Sequence, residues 1–188
     1  MPRRAALLFV AISIAIATAC SSEETVVPPS RAAAPQSAEL GWSEPFPTAG
    51  PALVFRVHRV AVTERGWEAD VEIENRTDVE WEIGTDRVAV AQSFGVMLFE
   101  TGELDEVERR GRDGELPGLR AVDRFDPPVP PRLVPGRRWR TTISARGTLA
   151  AGRYLRIVFG PLVAKAEPPE GMQPEFVWIT DHAYRLHR

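Results

Sequence analysis

The chain has 188 residues, 44% hydrophobic and 26% charged, with a formal net charge of −3. That composition belongs to a soluble globular protein, and the lack of a basic excess excludes a general nucleic-acid binder, which must displace counterions from phosphate. One cysteine, Cys20, excludes an internal disulfide framework and leaves that thiol to be explained by its setting.

The first twenty residues supply that setting. Arg3 and Arg4 form a positive end, Ala5 to Ala17 is an almost unbroken apolar run, and Ala17-Thr18-Ala19-Cys20 closes it with small residues. A positive end, a short apolar run and a small-residue site together read as an export signal. The apolar run is shorter than the ~20 residues that span a bilayer. The closing four residues resemble the lipobox of bacterial lipoproteins, with Ala17 where that family usually has Leu. The resemblance implies that signal peptidase II recognises Ala17, Thr18 and Ala19 and cuts before Cys20, whose sulfur carries a diacylglyceryl lipid. Residues 1–19 are then a cleaved signal peptide. The lipid would be the only non-protein group, with no other cofactor and no metal. Two acyl chains hold a protein on a membrane where one gives only marginal binding. Ser21 is not the Asp that retains many lipoproteins at the inner membrane.

Residues 20–50 read as the lipidated cysteine and a flexible tether. The stretch is rich in Ser, Ala, Pro and Glu, and Pro28, Pro29, Pro35, Pro45 and Pro47 break any helix. Such a segment buries too little apolar surface to offset its ordering entropy, and at full extension it reaches at most ~100 Å. Trp42 and Phe46 near its end either pack on the domain or stay exposed.

From residue 51 to 188 the dominant period is two. Leu53 to Thr63 reads as an opening strand. Trp67, Ala69, Val71 and Ile73 alternate with Glu68, Asp70, Glu72 and Glu74, the pattern of a half-buried strand. Asn75-Arg76-Thr77-Asp78 is turn chemistry, and alternation resumes at Val79, Trp81 and Ile83. Val88–Val90 and Phe94–Phe99 follow as two strands. The charged stretch Thr101–Arg120 reads as a loop with at most one helical turn around Leu104 and Val107. Its Glu103, Asp105 and Glu106, followed by Arg109 and Arg110, make it the candidate interaction surface. Pro127–Pro131 is a rigid connection that cannot lie in a central strand. Trp139–Ser144, Tyr154–Phe159 and Phe176–Thr180, extending towards Leu186, complete seven or eight short strands. The fold class is therefore all-β, an antiparallel β-sandwich.

Two segments sharpen the class. Pro135-Gly136 leads into the strand of Trp139, Thr141 and Ile143, and Ala151-Gly152-Arg153-Tyr154 enters the next. The second resembles the tyrosine corner of immunoglobulin-like domains, and the whole resembles the immunoglobulin-like domains of exported bacterial lipoproteins without assigned activity. The resemblance implies that Tyr154 hydrogen-bonds back to the chain above Leu149, with Arg156 standing where the usual cysteine would be. It also implies that the strand of Trp67 is B and the strand of Trp139 is E, its neighbour. Arg138 and Arg140 would then offset the acidic row Glu68–Glu74 across the strands.

A search for chemistry finds no nucleophile elbow, metal-binding helix, Walker loop or dinucleotide fingerprint. Lys165 lies in a Pro-rich loop with no serine at the spacing of a Ser-Lys hydrolase. His58 reads as outward on the opening strand. Asp181, His182 and His187 gather at the C-terminus, where an Asp-His pair can orient an imidazole or bind a metal, but no nucleophile or further ligand accompanies them. Met97 and Met172 are too few for copper handling. The sequence therefore predicts no catalytic residue. It predicts a lipid-anchored module at the cell membrane, facing away from the cytoplasm, whose partners are the membrane and an envelope protein or cell-wall component. The alternative is a carrier or sensor with an apolar cavity between the sheets, lined by residues such as Trp81, Phe94 and Trp178. A hydrolase is a more distant third reading.

Overall fold

The computed structural model describes residues 31–83 and 93–188. The signal segment, Ala17, Thr18, Ala19, Cys20 and the expected strand at Val88–Val90 lie outside those residues. In chain order the elements are β1 (Gln36–Phe46), β2 (Leu53–Val62), β3 (Gly66–Asn75), β4 (Trp81–Glu82) and β5 (Gly95–Phe99). Then come α1 (Leu104–Asp113), β6 (Arg120–Ala121), β7 (Arg124–Asp126), β8 (Arg132–Leu133), β9 (Arg138–Arg146), β10 (Tyr154–Ala164), β11 (Glu175–Ile179) and β12 (Tyr184–Arg185).

The strands form two antiparallel sheets. The first runs β1-β2-β3-β9-β7. In the second, β10 is central: β5 and β4 pair along one edge of it and β11 and β12 along the other, with β6 beyond β5 and β8 beyond β4. The pairing of β3 with β9 is the neighbour relation expected of these two strands, and β5, β10 and β11 lie side by side in the facing sheet. The core is built by alternation. Phe55 and Val57 from β2, Trp67, Ala69, Val71 and Ile73 from β3, Trp139 and Ile143 from β9, and Leu155, Ile157 and Phe159 from β10 all point between the sheets. Fully burying each large apolar side chain contributes ~1.5–3 kcal/mol.

The tether assignment is corrected from residue 31 onward. Ala33 donates to the Leu149 carbonyl at 2.7 Å, and Gln36–Phe46 is an eleven-residue strand at the edge of the first sheet. Its exposure alternates from Gln36 to Phe46, with Leu40, Trp42 and Phe46 packed against the core. Pro45 is tolerated because an edge strand has one side free of ladder partners. Between Glu39 and Trp42 the register shifts by one residue, Leu40 and Gly41 lying opposite His58 alone; β2 is shifted by one against β3 between Val57 and Arg59, and Gly41 takes a positive φ of 60° in the bulge. The sandwich thus begins within the stretch that composition assigns to the leash.

The turn after β3 is held by Asn75. Its side-chain amide donates to Val79 at 2.8 Å and Leu133 at 2.9 Å, while its Oδ1 accepts from the backbone N and hydroxyl of Thr77. The acidic row of β3 is offset from both sides rather than one. Arg138 reaches Glu72 and Glu74, each at 3.1 Å, as the β3–β9 pairing predicts. The second half comes from β2: Arg56 spans Glu72 and Glu74 at 2.7 Å each, and Arg59 reaches Glu68 at 3.0 Å. Arg140 faces Glu72 in register but forms no ion pair among the described residues. Asp70 instead accepts from the Thr142 hydroxyl at 2.6 Å. Glu74 is held at about 2 by Arg76 first, then by Arg56 and Arg138, against the opposing effect of burial.

Candidate functional site: the seam between β1 and the C-terminal segment

One side of the sandwich is closed by side chains rather than by a backbone ladder. β1 is the last strand of the first sheet, and β11 and β12 line the facing edge of the second. Because β1 alternates, Trp42, Glu44 and Phe46 share its inward face. Phe46 meets Phe176 and Trp178, with ring centroids 5.2 and 4.9 Å away.

Glu44 is the hub of this seam, only 5% exposed. Its Oε2 accepts from the indole N–H of Trp178 at 2.9 Å and from the backbone N–H of Asp181 at 3.0 Å. Its Oε1 accepts from the backbone N–H of His182 at 3.0 Å and from His182 Nδ1 at 2.7 Å. A carboxylate taken out of water must be hydrogen-bonded, and these four donors occupy its acceptor positions. The bond to Nδ1 places the proton of a neutral imidazole on that nitrogen and leaves Nε2 as the free acceptor. Trp42 stacks on the same ring at 5.5 Å and 21°. Further along, Gln36 donates to the His187 carbonyl at 3.3 Å and accepts from the His187 N–H at 3.0 Å.

Behind the seam, Arg156 is fully buried on β10. It donates to the carbonyls of Gly102 at 2.7 Å, Thr180 at 2.6 Å and Asp181, and lies 5.7 Å from the Phe99 ring. Its Nε has no partner among the described residues. Burial lowers its pKa, countered by the charges of Asp181, Glu44 and Glu103. Burial and the neighbouring Glu44 charge raise the Asp181 carboxyl, offset in part by Arg156.

This placement corrects the tyrosine corner. Leu155, Ile157 and Phe159 belong to the core, so Tyr154 and Arg156 lie on the opposite face of β10. The Tyr154 ring lies beside Gly102 and beneath Arg185, whose guanidinium is 5.9 Å from the ring centroid. Its hydroxyl forms no hydrogen bond among the described residues. The offset is one residue, and in a strand one residue exchanges the two faces. Trp67 and Trp139 do sit in the core, 3% and 6% exposed.

The charged stretch is also different from expectation: it forms ten residues of helix instead of a loop. Glu106 pairs with Arg110 at 2.6 Å and Arg109 with Asp113 at 3.2 Å, both one helical turn apart. Asp105 and Glu106 occupy the first turn, Arg110 and Arg112 the last, and Gly114 ends the helix in the left-handed conformation at φ 71°. Glu103 precedes the helix. Arg110 and Arg109 lower the Glu106 pKa. Much of the charge in the expected interaction surface is thus engaged within the helix itself.

The seam holds an oriented imidazole on a buried carboxylate, the arrangement that serves a general base. The Thr180 hydroxyl, two residues before His182, donates to the His182 carbonyl at 3.0 Å and accepts from the Ile157 N–H at 3.0 Å. Among the described residues no hydroxyl, thiol or amine side chain is bonded to the His182 ring. No group of three or more His, Cys, Asp or Glu side chains is placed to hold a metal ion, and no helix is long and apolar enough to cross a membrane, again among the described residues. His58 lies 3.4 Å from Glu72 on the outer face of the first sheet. Lys165 pairs with Glu82 at 2.7 Å. Two surface depressions, about 370 and 360 Å³, lie over that sheet beside Asp70 and Arg140 and beside Trp67 and Arg146.

Sequence reasoning missed Glu44, Gln36, Trp178 and Arg156 as a group. The alternation of Leu40, Trp42, Glu44 and Phe46 was the signal available for the first of them. No protein-family model, curated protein or solved structure matches the chain.

Proposed function

We propose that the chain is a bacterial lipoprotein, exported and anchored through lipid on Cys20, which presents its sandwich in the cell envelope as a non-catalytic interaction module. The observation that carries this reading is the use made of the strongest chemical constellation in the domain. Glu44 directs all its acceptor capacity at donors that hold the C-terminal segment on β1, and among the described residues no nucleophilic side chain is bonded to the His182 ring. That arrangement favours a structural latch over an acid–base site. The apolar-carrier alternative is less well supported, because the rings it needs meet other rings. Trp178 stacks on Phe55 at 5.5 Å, Trp81 meets Phe176 edge-on at 5.5 Å, and Phe94 meets Phe125 and Trp139 at 5.4 and 5.9 Å.

Mass spectrometry of the N-terminus of the native protein tests the anchor. A thioether-linked diacylglyceryl group on Cys20 is expected, and a chain that is unmodified and freely secreted refutes it. A panel of ester, peptide and phosphoester substrates tests the second half. No turnover that depends on His182 is expected, and turnover abolished by His182→Ala overturns the reading.

A further inference from the structure

We infer that the end of the sandwich from which the N-terminal segment departs is an electrostatic foot for an anionic lipid surface. The backbone defines this end. Gln36 pairs with Val62, Gly66 with Arg146, and Tyr154 with both Phe99 and Arg185, so all these strand ends lie together. Hydrogen bonds then bind the connecting segments into one cap. Arg31 accepts from Ala151, Arg65 from Gly147, His187 from Ala34, and Leu186 from Gly152, at 2.8 to 3.2 Å.

The cap is basic although the chain is not. Arg31, Arg65, Arg120, Arg146, Arg185 and Arg188 are all exposed there, and none has an acidic side chain in ion-pair contact among the described residues. Arg120 is tied to the cap through the Thr148 carbonyl at 3.5 Å. The acids at this end are fewer and partly engaged. Glu100 pairs with Arg153, and Asp123 accepts from the Arg146 backbone N–H at 2.8 Å, which leaves Glu64, Glu103 and Asp181 against the six arginines. A chain with net charge −3 therefore concentrates positive charge at one end, and the remainder of the molecule is correspondingly acidic. The opposite end carries Asp78, Glu80, Glu82, Glu167 and Glu170 against Arg76, Arg132, Arg137 and Lys165.

The occupant follows from where the chain leads. The inference rests on the anchor at Cys20, from which residues 21–30 run to Arg31 at the cap. Ten residues reach at most ~35 Å, against the ~100 Å reach of the longer leash. The lipid thus draws this end, rather than any other, to the headgroups. Arginines near an anionic leaflet each strengthen binding by roughly five-fold, within a Debye length of ~8 Å. The lipid supplies attachment and the arginines supply orientation, which leaves the opposite end turned away from the membrane.

The test uses residues 21–188, which contain the whole described core from Ala33 to Leu186 and carry no lipid. This chain is co-sedimented with vesicles of phosphatidylcholine containing phosphatidylglycerol, and with vesicles of phosphatidylcholine alone. Binding to the anionic vesicles only, weakened by salt, is expected. The triple variant R65Q/R146Q/R188Q should lower that partitioning by about 100-fold. The variant R76Q/R132Q/R137Q, which removes the same charge from the opposite end, should lower it far less. Thermal unfolding confirms that both variants are folded. Equal binding to both vesicle types, equal losses in the two triple variants, or binding to a soluble anionic glycan without binding to vesicles overturns the inference. The outcome does not depend on Cys20, so failure here is distinct from failure of the anchor.

Discussion

Replacing Glu44 with alanine tests the seam directly. Four hydrogen bonds lose their acceptor. The His182 side chain is 57% exposed and finds water, so its Nδ1 contributes little. The other three donors, Trp178 Nε1 and the backbone N–H groups of Asp181 and His182, sit against a carboxylate that is 5% exposed. Leaving a buried donor unpaired costs ~1 kcal/mol or more, and relief of the carboxylate's own desolvation returns part of the sum. Glu44→Ala should therefore cost ~2–4 kcal/mol, or roughly 5–15 °C in Tm for a domain of this size. Glu44→Gln keeps the shape and one acceptor oxygen and should cost about half as much. His182→Ala removes one partly hydrated bond and the Trp42 stack, and should cost under ~1 kcal/mol. Urea denaturation measures all three, and amide exchange at Asp181 and His182 should accelerate in the Glu44 variants before global unfolding. A loss below ~1 kcal/mol for Glu44→Ala, or a His182→Ala effect equal to it, refutes the reasoning.

Truncation to residue 51, the boundary that composition suggests, removes β1 and leaves Phe176 and Trp178 without the Phe46 ring. That chain should aggregate or lose its cooperative transition, whereas a chain starting at Arg31 should unfold like one starting at Ser21. Calorimetry of the three chains decides it. Arg156→Ala leaves three carbonyls without their donor and opens a void, at ~3–5 kcal/mol. Arg156→Met fills the space and should cost less; equal urea midpoints for the two would show that the void does not matter. In acid, Glu74 is the group to watch. Its folded value of about 2 lies below the ordinary 4.5, so its contribution is full above 4.5 and is lost as pH falls towards 2. Carboxyl NMR should show Arg76→Gln moving that midpoint upward. Asp181 has the opposite sign. Its pKa is raised, so its ionisation costs stability as pH rises through that value, and Asp181→Asn should stabilise at neutral pH but not near pH ~3. Melting curves at the two pH values test it.

The Cys20 segment stands outside the described residues and rests on sequence alone, since a lipobox is a linear signal that needs no fold to be read. Local pattern also determined the strands. The period-two runs of β2, β3 and β9 were readable because one face of each meets a core and the other meets water. The β3–β9 pairing and the Arg138 bridge were expectations of the resemblance to immunoglobulin-like domains, not of any local pattern. The helix was legible in principle from Glu106–Arg110 and Arg109–Asp113, but a stretch with one buried residue, Val107, gives little hydrophobic periodicity to find.

Tertiary structure decided the rest. Residues 31–46 are weakly apolar and Pro-rich, so no local preference orders them; β2 does, by offering the first sheet a free edge. Arg156 reads as a misplaced surface charge until three carbonyls from distant turns converge on it. Glu44 and His182 are 138 positions apart, and only the meeting of two sheet edges makes them partners. Alternation tells each strand which face to bury, but which edges face one another is a property of the assembled sheets.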